Sequence, residues 1–120
     1  MNASATAARF DGADLSADEK NQSMGLMRAT FKGTRLDGAS FKGANLSRVL
    51  MEFASLKGAD LTGANLRGPE LAGADLTDAN IDGANFTDAD VNSARIGKMR
   101  NRERALGLDS VKNADRAVMN

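Results

Sequence analysis

Cysteine, histidine, tryptophan and tyrosine are all missing from the 120 residues of this chain. Without cysteine or histidine there is no disulfide framework and no Cys/His metal site. Nucleophile–histidine pairs are excluded for the same reason. Neither GxxxxGK[ST] nor GxGxxG occurs, so neither phosphate-cradling loop is present. Lys plus Arg and Asp plus Glu both number 16, which leaves no net charge to draw the chain to nucleic acid. No exposed aromatic platform for bases is evident either. Apolar runs all fall short of membrane-spanning length, and 1–9 lacks the apolar centre of a signal peptide. The expectation is one soluble, cytoplasmic domain without a cofactor, bound neither to nucleic acid nor into a membrane.

What is present is a beat of five. Every fifth residue from Leu26 is large and apolar: Leu26, Phe31, Leu36, Phe41, Leu46, Met51, Leu56, Leu61, Leu66, Leu71, Leu76, Ile81, Phe86, Val91 and Ile96. On an α-helix, residues five apart diverge by roughly 140° and would wind around the cylinder. On a strand they would fall on alternate faces. All fifteen turn inward only if the backbone bends a corner once per repeat and coils around its own apolar centre. A fixed period of this kind marks a solenoid whose coils pack on their neighbours.

Each place in the repeat has a physical task. Alanine, two residues before the centre, fits a coil too narrow for a second large side chain. Glycine, at 33, 38, 43, 58, 63, 68, 73 and 83, suits a tight corner. Asp or Asn before the centre can bond nearby backbone at the turn, which explains the regular carboxylates without invoking catalysis. No catalytic, cofactor-binding or metal-ligating residue is nominated.

Ala59-Asp60-Leu61-Thr62-Gly63, Ala64-Asn65-Leu66-Arg67-Gly68 and Ala74-Asp75-Leu76-Thr77-Asp78 resemble the A-(D/N)-L-x-x unit of pentapeptide-repeat proteins. The resemblance covers 24–98, 75 of the 120 residues, without an insertion. It implies an all-β solenoid, a right-handed quadrilateral β-helix with four repeats per coil. The array would make nearly four coils, about 18 Å of rod at roughly 4.8 Å per coil. Positions 20 apart then stack, so Asn45, Asn65 and Asn85 form one column whose side chains could bond one another as a ladder.

Three regions follow: an N-terminal segment (1–23), the repeat array (24–98) and a C-terminal helical cap (99–120). Two further repeats centre on Phe10 and Leu15, one residue out of frame with Leu26. The mismatch falls in 18–23, as a bulge or short loop after an imperfect first coil. A short helix is the alternative, because Ser16-Ala17-Asp18-Glu19 has capping-box spacing. Toward the other end, 99–106 is charged and helix-permissive, and Gly107 suits a C-cap. Asp109 or Ser110 could cap a second helix carrying Val111, Ala114 and Val118 on one face. This tail would shield the last coil's apolar core and strand edges. Arg100, Arg102 and Arg104 then read as a solvated helix face.

Two features exceed the template. In Val49-Leu50-Met51-Glu52-Phe53, Leu50 stands where Asp or Asn is usual and Phe53 where glycine is usual. With only Met51 facing inward, Leu50 and Phe53 would be exposed, and an exposed apolar pair marks a candidate protein contact. The bland alternatives are that Phe53 covers its glycine neighbours or packs under the N-terminal segment. Charge is also segregated, +4 over 24–58 and −6 over 59–93, which could orient a partner or favour antiparallel pairing, or equally reflect drift in a tolerant surface. The functional expectation is a non-enzymatic structural or protein-interaction module. Its protein partner is unidentified, with a larger complex and a homodimer both in view. The resemblance adds an alternative: a DNA-mimicking protein that binds DNA gyrase, as quinolone-resistance members of the family do. Those members are long and strongly acidic, unlike this short neutral chain.

Overall fold

The computed structural model describes residues 8–13, 31–68 and 70–119. From Phe31 to Ile96 the chain turns a corner after every fifth residue, and each side contributes one parallel bridge to the coil above. The bridges join residues 20 apart and fall into four columns. Side 1 stacks Arg35, Ser55, Asp75 and Arg95; side 2 stacks Ser40, Asp60, Asn80 and Arg100. Side 3 stacks Asn45, Asn65 and Asn85; side 4 stacks Leu50, Glu70 and Asp90. A coil is therefore a four-sided ring of four pentads.

The five amides of a pentad can be followed one by one. In Ala59–Gly63, the amides of Leu61 and Gly63 donate up to the carbonyls of Asn80 (2.8 Å) and Asp82 (2.8 Å). The amide of Asp60 donates down to Ala39 (2.9 Å), and that of Ala59 closes the preceding turn onto Leu56 (3.1 Å). The fifth, on Thr62, has no carbonyl in reach and takes the Asp60 carboxylate instead (3.0 Å). Buried or half-buried amides must be satisfied somewhere. The residue before the centre is Asp or Asn for that reason: Asn45, Asn65, Asp75, Asn80, Asn85 and Asp90 bond the amide two residues on in the same way. The asparagines of side 3 do stack, but their oxygens accept from their own turns and no hydrogen bond joins one asparagine to the next, so the expected Asn–Asn ladder does not form there.

Inside, Leu36 to Val91 of the five-residue column are no more than 1% exposed and Ile96 is 5% exposed. The alanines two places before them are equally buried. Leu26 lies outside the described residues. Phe31, at the lower end, is half-buried in an aromatic group: Phe10 stacks on Phe41 with ring centroids 4.9 Å apart, and Phe31 meets both edge-on. The pentad 8–12 thus underlies 39–43, through Arg9 and Ser40, 31 residues apart rather than 20. Leu15, the 18–23 mismatch and the capping-box alternative all fall outside the described residues.

The C-terminal expectation needs correction. No α-helix occurs among the described residues of 99–120, and the coiling does not stop at 98. The period changes from five to six: Leu106, Lys112 and Val118 bridge Asn85, Asp90 and Arg95. Each hexad opens on a left-handed residue (Asn101, Gly107, Asn113) and makes a 3-10 turn, Arg102–Arg104, Leu108–Ser110 or Ala114–Arg116. It then extends through Ala105, Val111 or Ala117. Amides that would have donated to a further coil bond back within the turn, as Arg104 does to Asn101 (3.0 Å) and Ala105 to Arg102 (3.1 Å). Val111 packs on the core end, Ala114 is exposed and Val118 bridges Arg95, so the three residues expected on one helix face are divided. Gly107 has a structural duty: a Cβ there would lie 2.5 Å from the Thr87 amide nitrogen.

Two outcomes are expected. Leu66→Ala, in the middle of the column, should lower unfolding free energy by about 2–5 kcal/mol in chemical denaturation, because a stacked coil cannot collapse onto the cavity. The second concerns pH. Burial pushes the Asp60 and Asp75 carboxyls up, but the hydroxyl and amide of Thr62 or Thr77 and the charge of Lys42 or Lys57 outweigh it, leaving both below 3.8. A folded-state pKa below the unfolded one adds stability above the unfolded value that is lost as pH falls through the folded value. The melting temperature should therefore drop below about pH 4. The double variant Asp60→Asn, Asp75→Asn, which keeps the acceptors, should show a smaller drop.

Candidate contact surface

Outward side chains come from the bridge position and the two corner positions of each pentad. Most are short, charged or absent, and the pentad 49–53 differs in both of its unusual places. Leu50 occupies a side-4 bridge position between coils; it is half-buried rather than exposed, because a side position is shielded by its column neighbours. It also deprives its turn of an acceptor, since leucine cannot cap the amide of Glu52 as Asp60 caps that of Thr62. Phe53 sits at the next corner and is 71% exposed. Its backbone is left-handed, φ 61°, a conformation in which a bulky residue is a genuine outlier. The ring lies flat on the coil above: a Cβ on Gly73 would come within 2.5 Å of it. Phe53 does cover a glycine, yet most of its surface still faces solvent. Beside it, Oε1 of Glu52 is closed off from solvent without a hydrogen-bond partner.

Acids and bases interlock elsewhere. Lys42 reaches Asp60 (3.6 Å), Lys57 reaches Asp75 (3.8 Å) and Arg104 reaches Asp82 (3.1 Å). The seven acids of 59–93 are distributed around the rod: Asp60 on side 2, Asp75 on side 1, Glu70 and Asp90 on side 4, and Asp78, Asp82 and Asp88 at corners. The arginines of 100–104 do not share a face, contrary to expectation, because the chain there turns rather than spirals. Arg100 bonds the Asp78 carbonyl (2.9 Å), Arg102 the Ile96 carbonyl across the coil end, and Arg104 pairs with Asp82.

Little else offers chemistry. A hollow of about 300 Å³ is lined by Arg48, Gly68, Glu70, Asp88 and Lys112, two cations against two anions. Among the described residues no group of three or more acidic side chains is placed to hold a metal ion. No helix there is long and apolar enough to cross a membrane. The unusual φ of Phe53 was readable as a departure from glycine. The loss of the Glu52 turn cap becomes visible only once the amides are followed.

Comparison with known proteins returns to the same repeat. No curated protein matches the chain. Among solved structures, HetL, a pentapeptide repeat protein involved in heterocyst differentiation regulation from the cyanobacterium Nostoc sp. strain PCC 7120, superposes with a TM-score of 0.72 at 22% identity. The match covers 99% of this chain and 47% of HetL, so the chain spans about half of that protein's length. Trypsin-treated QnrB1, a plasmid-mediated fluoroquinolone resistance protein, aligns over 92% of this chain and 59% of its own, at 20% identity and a TM-score of 0.51. At these identities the likeness is one of fold. The family model described as pentapeptide repeats matches in eight copies over residues 26–63 and 59–96, more than half the sequence. With its four-sided coil and its buried column, the chain belongs to the pentapeptide-repeat family.

Proposed function

We propose that this chain is a right-handed β-helical rod that works as a non-enzymatic protein-interaction module and docks on a protein partner through the 49–53 pentad. One observation carries the reading. That pentad departs from the repeat at two places, each unfavourable to the fold, and the result is an apolar ring held outside. An omitted turn cap costs about 0.5–1.5 kcal/mol of hydrogen bonding. A left-handed non-glycine residue costs about 1–2 kcal/mol. Strain kept at an exposed aromatic supports a contact there. Leu50, half-buried on the adjoining side of the coil, broadens the apolar surface.

The gyrase-binding alternative finds less support. A DNA mimic needs its acids along one side, whereas here they encircle the rod, and Asp60, Asp75 and Asp82 pair with bases. The present reading expects no effect of the purified protein in a gyrase supercoiling assay; inhibition that competes with DNA would reverse the preference.

Phe53→Gly should leave the protein folded, with stability unchanged or raised by up to about 1 kcal/mol as backbone strain is released. The same substitution, combined with Leu50→Thr, should abolish partner capture from native lysate. Unchanged capture and unchanged oligomeric state in the folded double variant would defeat the proposal.

A further inference from the structure

The corner that carries Phe53 lies where the charge of the rod changes sign. Residues 31–58 hold five bases and two acids, whereas 59–93 hold one base and seven acids. The same polarity is seen locally, on the two sides flanking the corner. One coil below Phe53 are Lys32 and Arg35; one coil above are Glu70 and Asp75, with Asp90 a further coil up. Glu52 is level with the ring, and Arg95 lies beyond the acidic stretch.

From this arrangement we infer that the occupant of the Phe53 surface is a second copy of this chain, paired antiparallel about a two-fold axis at Phe53. The inference rests on the contact reading given above and names its partner. A two-fold axis across the rod maps each height above Phe53 onto the equal depth below it, on the same side of the coil. Arg35 of one copy then faces Asp75 of the other, while the two Phe53 rings meet at the centre. An isologous contact of this kind is self-complementary. A two-fold axis along the rod would pair equal heights, setting basic half against basic half and acidic against acidic, which is unfavourable. The flat surroundings allow the approach: Gly33 and Gly73 lie below and above the ring, and Ala72 beside it projects only a methyl group.

The absence of cysteine makes the register directly readable. Residues 32, 52 and 72 stack at this corner, one coil apart. Antiparallel pairing brings position 32 of one copy beside position 72 of the other. Lys32→Cys and Ala72→Cys should therefore cross-link as a mixture under mild oxidation and not singly. Wild-type protein should sediment as a concentration-dependent dimer that weakens at high salt, and Phe53→Gly should weaken it by at least about tenfold. Cross-linking of either variant with itself alone would mean parallel pairing and would overturn the inference. A wild-type monomer at the highest attainable concentration would also overturn it, whether or not the cysteine variants fold. In that case Phe53-dependent capture of a different protein would leave the interaction reading intact, and the loss of both would remove both.

Discussion

Hydrogen bonding between coils 20 residues apart is what the rest of this molecule depends on. One large side chain per pentad fills the interior, but three amides in every five are satisfied only by the coil above or below. A fourth closes the corner. The remaining one has no backbone partner, and where Asp or Asn precedes the centre its side-chain oxygen supplies one. The repeat is thus a solution to an accounting problem in donors and acceptors as much as a pattern of apolar residues. Alanine lets the coil stay narrow, a left-handed corner residue lets it bend, and Asp or Asn completes the turn.

A surface built this way has little freedom. Every outward position belongs to a column with a fixed neighbour above and below, at the spacing of parallel strands. Ion pairs such as Lys42–Asp60 and Lys57–Asp75 form because the columns place their ends in reach. Departures from the repeat stand out against this regularity, and those of 49–53 both act against local stability. Other pentads lack the Asp or Asn cap, as at Arg35 and Arg95, or carry a left-handed corner without glycine, as at Arg48 and Asp78; this one combines the two and presents a ring. The contact reading follows from that contrast, not from exposure alone, since single exposed apolar residues are common.

The end of the rod obeys the same constraint with a different answer. A last coil has no neighbour to receive its upward amides. Three hexads with 3-10 turns redirect those donors inward, and Leu108, Val111 and Ala117 cover the core end. Asn101 and Asn113 tie the closing coil to the one beneath through Asn80 (2.7 Å) and Asp90 (2.9 Å). These are side-chain bonds between coils of the kind expected on side 3, made to oxygens that also cap their own turns.

Much of this was legible in the amino acids. A period of five that fits neither helix nor strand leaves the coil as the geometry that buries Leu36 to Ile96 together, and a period of five with stacking every 20 residues names the columns in advance. The anomaly at Leu50 and Phe53 was equally plain, because a repeat supplies its own standard of comparison. The tail is not legible in the same way, because its charged composition tolerates a helix and the six-residue recurrence of Asn101, Gly107 and Asn113 is too brief to outweigh that. A short segment without a broad apolar face gains little from helix formation alone, and the preceding coil offered it bridges instead. Period and core composition are properties of neighbouring residues, so the chain alone determined the coiling. Exposure of Phe53, shielding of Leu50, the dispersal of the acids and the closing turns depend on which residues lie one coil away, and only the stacked structure decides that.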